Sequence, residues 1–360
     1  MKFRMYGFSE NYKELFSVYK QTGIQSVVSG KNNVAMKAAK ESGLKYYICT
    51  GAYGTSDEKE HCQSITGERT SWFRSGCSNH LDLRERSFKR AEDTAKLPDL
   101  NGIIIDGARF ASPESIESMD AFFTCFCPRC MAKMDSLGFD SQEIKLSVSA
   151  FYHLIKHNKP FKLQNHISNL KNWLTFRRLC VTEFLTEYID RIKTVNQDIE
   201  TGIYIFSPSL SDLVGQSYRD ISSIVDFISP MIYRHYKYPQ GPACLDHEIA
   251  AISGYFEEKD DEVKSVIIDT FKKLTGVDYS IYGTREQLLK EGLPPEVVVS
   301  ETKKAAFLSG DCPVIPIILL DDVNLENIIV EISDVVNEID FFAYNDPVFA
   351  QAKPVLEKYR

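Results

Sequence analysis

The segment Asn101-Gly102-Ile103-Ile104-Ile105-Asp106-Gly107-Ala108-Arg109-Phe110 ends an apolar run on an acid, with a base three positions later. A carboxylate delivered by a buried strand is costly unless it is paired, so Arg109 is expected to hold Asp106 ionised. In that state Asp106 could act as nucleophile or general base, the plain alternative being a structural Asp–Arg pair that ties the loop. A second group is Cys125-Phe126-Cys127-Pro128-Arg129-Cys130. Three thiols at that spacing can converge on one ion. A tetrahedral zinc then needs a fourth ligand, for which Cys77 is the natural donor and Cys62, His61 and His80 are substitutes. Zinc on Cys77, Cys125, Cys127 and Cys130 would be structural, with no position left for water or substrate. Packed reduced thiols and an iron–sulfur cluster are the alternatives.

The elements that must position these groups are eight short β-branched and aromatic runs, each ending in a small or polar residue. They are Phe3 to Phe8, Ile24 to Ser29, Lys45 to Thr50, Gly102 to Asp106, Gly202 to Phe206, Phe227 to Tyr233, Val314 to Leu320 and Ile339 to Tyr344. Helical patterns lie between them: Asn11 to Lys20, Asn33 to Ser42, Leu170 to Lys193, His247 to Glu258, Pro295 to Ser309 and Asn324 to Asn337. Gly23 and Gly43 stand where a helix C-cap wants positive φ. Eight such units predict a single (β/α)8 TIM barrel over residues 1–360, with elaborated loops after strands four and six, at about 111–170 and 235–295. A doubly wound open sheet is the fold alternative, disfavoured because no Gly-rich phosphate fingerprint follows the first strand.

Composition narrows the function. With 42 basic and 50 acidic residues the 360-residue chain carries a formal charge of −8, which disfavours a phosphate-tracking surface, so no nucleic-acid partner is expected. The N-terminus lacks a secretory apolar stretch. The longest apolar run, Val314 to Leu320, falls well short of the roughly 20 residues that cross a bilayer. With nine cysteines, an odd number, thiols or metal ligands are expected before disulfides, and the chain is placed in the cytoplasm with no membrane partner. No H-E-x-x-H, Gly-x-Ser-x-Gly or P-loop occurs, which removes the common zincin, serine-hydrolase and nucleotide-hydrolysing patterns.

Taken in order, Cys77-Ser78-Asn79-His80, Leu83-Arg84-Glu85, Asn101 to Phe110 and Cys125 to Cys130 resemble poorly characterised glycoside-hydrolase-like (β/α)8 barrels, in which a "D-x-x-R-F/Y" strand is followed by "C-F-C-x-x-C". Trp173-Leu174-Thr175-Phe176-Arg177 resembles that group's "W-x-x-F-R" helix. Gly215-Gln216-Ser217-Tyr218 and Val225 to Tyr233 resemble its "GQ-x-Y" and "VD-x-x-x-PM-x-Y" segments. The likeness covers roughly residues 75 to 235. It implies a hydrolase of oligosaccharides or glycosides with Asp106 as the catalytic carboxylate and Arg109 beside it, and no cofactor needed for catalysis. One upstream cysteine with a C-x-C-x-x-C is also similar to the zinc staple of a β-galactosidase family, whose Asn-Glu acid/base pair is absent here.

Glycoside cleavage needs a second carboxyl. Asp321 is the first candidate and Asp346 the next; its neighbour Asp322 would point to the other face of a continuing strand. Asp212 and Glu114 could enter from loops. Helix N-capping is the competing explanation for the Asp321–Asp322 pair. Trp72, Tyr233, His235 and Tyr344 are the expected substrate-binding residues, and Tyr53, Phe110 and Tyr236 also fall in or beside βα loops. Flat rings suit sugar C–H faces, though most aromatics pack in cores. The rival functions are a non-catalytic carbohydrate-binding barrel on the same scaffold, and a lyase or hydrolase using Asp106 with Tyr233 or His235. Oligomeric state is not legible.

Overall fold

In a computed structural model the eight expected runs are the eight strands of a closed parallel barrel. The structure describes residues 1–114, 119–235, 244–342 and 344–360. The strands in chain order are β1 (Lys2–Tyr6), β2 (Ile24–Ser29), β3 (Lys45–Gly51), β4 (Cys62–Gln63), β5 (Arg69–Thr70), β6 (Gly102–Asp106), β7 (Glu200–Phe206), β8 (Phe227–Met231), β9 (Ile317–Leu319) and β10 (Glu338–Phe342). Around the barrel they run β1-β10-β9-β8-β7-β6-β3-β2, while β4 and β5 pair as a small antiparallel hairpin in the connection after β3. Sequence did not foresee that hairpin, because two-residue strands carry no periodicity. The seventh barrel strand is shorter than expected, three residues instead of the run from Val314, since Pro313 and Pro316 remove ladder donors.

Alternation along each strand sorts the interior. On β1, Phe3 and Met5 are fully buried, with Phe3 packed on Phe341 (centroids 5.4 Å), while Arg4 lies between the rings of Tyr47 and Phe227, at 4.4 and 4.3 Å. Two glycines make room for that sandwich: a Cβ on Gly102 would stand 2.4 Å from the Tyr47 ring, and one on Gly202 2.2 Å from Phe227. Arg4 also meets Glu338 at 3.2 Å and donates to Ser26 Oγ at 3.3 Å. The polar plug is therefore stacked, ion-paired through Nη2 and hydrogen-bonded through Nε, while Arg4 Nη1 has no hydrogen-bond partner among the described residues.

Helices fill the long connections. After β6 come Met119–Phe122, Pro128–Ser136, Ser141–His157 and the 33-residue Leu163–Val195; after β8 come Leu245–Gly254, Asp261–Thr275, Arg285–Glu291 and Pro295–Ser309. Helices close where expected at Gly23 and Gly43, with φ of +86° and +71°. The last predicted helix pattern shortens to Leu325–Ile332. Among the described residues no helix is long and apolar enough to cross a membrane.

Candidate active site

Asp106 is the last residue of β6, and it lines a cavity of about 370 Å³ at the C-terminal end of the barrel. Aromatic walls surround it, among them Tyr6, Trp72, Tyr204, Tyr233 and Phe342, and Asp106 is the sole acid on the described wall. Its Oδ1 accepts from the Gly107 N–H at 2.7 Å.

Two of the sequence motifs turn out to build the frame of this wall. Gln216 accepts from the Phe206 N–H (2.8 Å) and donates to the Ala108 carbonyl (3.2 Å), so one side chain fastens the end of β7 to the loop leaving β6. The Tyr218 hydroxyl adds a 2.6 Å bond to the Phe206 carbonyl. In the Trp173 helix, Trp173 Nε1 and Arg177 Nε both donate to the Thr124 carbonyl at 3.1 Å, and Arg177 Nη1 reaches the Leu213 carbonyl at 2.6 Å. Arg177 is fully buried, its guanidinium carbon 3.9 Å from the Trp173 ring centroid, and burial lowers its pKa to about 9. Gly215 lets the chain pass that arginine, since a Cβ there would lie 2.8 Å from the Arg177 backbone.

Arg109 is also buried, held between Trp72 (3.8 Å) and Phe206 (4.2 Å), with Nη1 donating to the Phe110 carbonyl at 3.0 Å. Burial lowers its pKa to about 10, opposed first by Glu248 and then by Asp106. Arg109 and the Gly107 N–H both favour the ionised form of Asp106, as expected of Arg109, but burial outweighs them and pushes the carboxyl up. Glu114, half-buried, lies in the same field. Its carboxyl is raised to about 8 by burial and by Glu248, against the pull of Arg109, and its backbone N–H donates to Glu248 Oε2 at 3.1 Å. Glu114 lines a second, larger cleft, and its Oε2 has no hydrogen-bond partner among the described residues. Below the cavity floor, Tyr204 donates to Asp340 at 3.1 Å; burial raises Asp340 to about 7 although Arg4 and Tyr204 favour its charged form.

Of the expected site residues, Trp72, Asp106, Arg109 and Tyr233 share the cavity wall, as does Tyr53. Four others do not reach it. Asp321 sits half-buried in the turn after β9, and Asp346 is exposed at the start of the helix Asp346–Tyr359, where it accepts from Tyr344. Tyr344 packs on Tyr19 and Phe349 instead (centroids 6.0 Å to each). His235 lies over Gly292, its Nε2 2.8 Å from Arg234 Nη1. Asp322 is buried against Arg234 (2.8 Å) and accepts from the Asn324 N–H in the turn before the helix Leu325–Ile332, whose N-cap is Asn324 and not either aspartate. Asp212 is exposed, Phe110 is buried 5.0 Å from Arg177, and Tyr236 lies outside the described residues. Sequence reasoning missed Tyr6, Phe73, Tyr204, Glu248 and Asp340. For Tyr6, Tyr204 and Asp340 the signal was period-two alternation along β1, β7 and β10.

The four cysteines converge. The sulfurs of Cys77, Cys125, Cys127 and Cys130 all lie within 4.8 Å of one another and all four residues are buried. From Cys77 the separations are 3.4 Å to Cys130, 3.7 Å to Cys125 and 3.9 Å to Cys127, so no pair is bonded as a disulfide. Tetrahedral thiolates at about 2.3 Å from a metal stand about 3.8 Å apart, the separation these pairs cluster around. N–H groups aim at the sulfurs: Gln63 N to Cys125 and Asn79 N to Cys77, both 3.4 Å, and Asn79 Nδ2 to Cys130 at 3.3 Å. The donor set can hold a metal ion. Of the substitutes for Cys77, His80 instead faces Glu60 (3.9 Å), and neither Cys62 nor His61 belongs to the four.

No protein-family model matches the sequence, and no curated protein matches it. Solved structures do. The β-galactosidase of psychrophilic Marinomonas ef1 superposes with TM-score 0.61 at 10% identity, covering 100% of this chain and 59% of its own. A β-galactosidase from the haloarchaeon Halorubrum lacusprofundi gives 0.61 at 13% identity, covering 100% and 58%. The PgaB (BpsB) glycoside hydrolase domain from Bordetella bronchiseptica gives 0.58 at 12% identity, covering 99% and 97%. The chain thus spans less than two thirds of these two galactosidase chains. These likenesses show the fold alone, a TIM barrel.

Proposed function

We propose that this protein is a glycoside hydrolase acting on an oligosaccharide or glycoside bound at the barrel mouth. The observation that carries the proposal is Asp106, the sole acid on the described wall of an aromatic-lined cavity of about 370 Å³, in a fold shared with glycosidases. Rings such as Trp72, Tyr204 and Tyr233 offer apolar faces to sugar C–H groups, and the phenols add hydrogen bonds.

Cleavage needs one carboxyl ionised and one protonated. Burial raises both carboxyls in the Arg109 field: Glu114 stays protonated to about 8 with Glu248 adding to the shift, and Asp106 is raised too, with Arg109 and the Gly107 N–H partly opposing. We assign Asp106 as nucleophile or base and Glu114, in place of Asp321 or Asp346, as proton donor to the leaving oxygen, a role that requires Glu114 to swing from the neighbouring cleft it lines towards the Asp106 cavity. Water completes the hydrolysis and returns both carboxyls to their starting states. Product analysis on a glycoside panel tests this: Asp106→Asn should abolish turnover, and unchanged turnover would remove Asp106 from the mechanism.

That the described wall carries one acid favours a second possibility, a barrel that binds carbohydrate without cutting it. Binding to native protein with no product from any panel member would select it.

For the cysteine cluster we propose structural zinc. Cys77, Cys125, Cys127 and Cys130 would supply four thiolates, and the ion would fasten the connection after β3 to the one after β6. It takes no part in catalysis, because four buried sulfurs leave no open position.

A further inference from the structure

The loop between β5 and the helix Leu81–Ala95 contains a tight turn in which the Ser75 N–H donates to the Trp72 carbonyl at 2.8 Å. Both central residues are left-handed, Phe73 at φ +48° and Arg74 at φ +53°, as in a type I′ turn. Such turns strongly favour Asn-Gly or Gly-Gly, because a Cβ is strained there; an aromatic followed by arginine is a poor local choice. Flanking bonds enforce the shape: Thr55 N to Arg74 O and Gly76 N to Tyr53 O, both 2.8 Å, beside an antiparallel bridge between Gly54 and Ser75. The outcome is a phenyl ring 51% exposed at the cavity edge, next to Trp72, which is buried and backed by Arg109. Neither core packing nor turn chemistry accounts for Phe73, and strain of this kind is kept where function uses it.

We propose that the Trp72–Ser75 turn presents Phe73 as a stacking platform for a second sugar ring outside the cavity, so that the ligand is an extended oligosaccharide and not a simple glycoside. The proposal rests on the carbohydrate function above and adds the length of the ligand. The cavity takes the terminal ring against Trp72, and Phe73, half exposed at the rim, takes the next ring through apolar contact with C–H groups.

The test measures binding of gluco-, galacto- and N-acetylglucosamine oligosaccharides, from monosaccharide to hexasaccharide. The readouts are calorimetry and tryptophan fluorescence, Trp72 being one of two tryptophans and Trp173 being buried in the loop clamp. Native protein should bind longer chains more tightly. Phe73→Ala should lose about tenfold on longer chains and nothing on the monosaccharide, and Phe73→Tyr should keep the gain. The double variant Phe73→Asn/Arg74→Gly, which installs the turn's preferred residues, should melt higher and still lose the gain. An equal loss at every length, or an undiminished gain in both Phe73→Ala and the double variant, would overturn the platform while the glycoside function stands. No binding of any chain to native protein would overturn both.

Discussion

The guanidinium of Arg109 lies 3.8 Å from the centroid of the Trp72 ring, and this contact joins the connection after β3 to the residue that charges the mouth of the barrel. Phe206 covers the other face at 4.2 Å, so the cation is fixed in plane and its field falls on Asp106, Glu114 and Glu248 together.

Removing that field has a definite sign. Arg109 lowers both Asp106 and Glu114, so in Arg109→Met both carboxyls should hold their protons to higher pH. Both limbs of the pH–rate profile should then move upward. Unmoved limbs would exclude the pair as the titrating groups.

Glu114 as proton donor predicts activity that falls as pH rises through about 8, where the carboxyl loses its proton. Glu114→Gln should lower kcat by about 10²- to 10⁴-fold on glycosides with poor leaving groups, and much less on activated aryl glycosides, which leave without protonation. Equal losses on both would refute the assignment.

Asp340 predicts a stability trend. Its folded value of about 7 exceeds the usual unfolded carboxylate value near 4, so the folded state holds a proton that the unfolded chain has released. Stability should therefore decline as pH rises from about 4 to about 7 and level off above, and Asp340→Asn should flatten that part of the curve. Urea unfolding at a series of pH values measures it, and the same slope in the variant would count against the trend.

Removing Gln216 strips a buried donor and acceptor from strand ends. Gln216→Leu leaves the Phe206 N–H and the Ala108 carbonyl unpaired and should cost about 3 kcal/mol in denaturant unfolding. Because the same bonds position the loop after Asp106, activity should fall further than the population of folded protein.

Metal analysis of purified protein should find about one zinc per chain. Cys130→Ser should lower that content and the Tm together, and strong chelators should reproduce the loss of Tm in the native protein. Zinc-free protein with unchanged Tm would leave the four sulfurs as packed thiols.

The barrel was legible because all eight strands are short, apolar and closed by turn residues, signals that need no tertiary information. Asp106 was legible for the same reason, as an acid terminating an apolar run. Its partner was not. Asp321 and Asp322 looked suitable by position, but the turn after β9 gives Asp322 to Arg234 and keeps Asp321 off the cavity wall. Glu114 and Glu248 are brought together by segments 134 residues apart, and no local pattern encodes such a meeting. The C-x-C-x-x-C spacing left one corner of a tetrahedron to fill, and the Cys77 sulfur does lie with the other three, all within 4.8 Å of one another. Phe73 was invisible, since nothing in Trp72-Phe73-Arg74-Ser75 advertises a tight turn.

Arg4, clamped between Tyr47 and Phe227, stoppers the lower end of the barrel. With the axis plugged there, the cavity beside Trp72 and Phe73 has no path through the barrel, so a sugar bound as proposed above would arrive and depart on the C-terminal side alone.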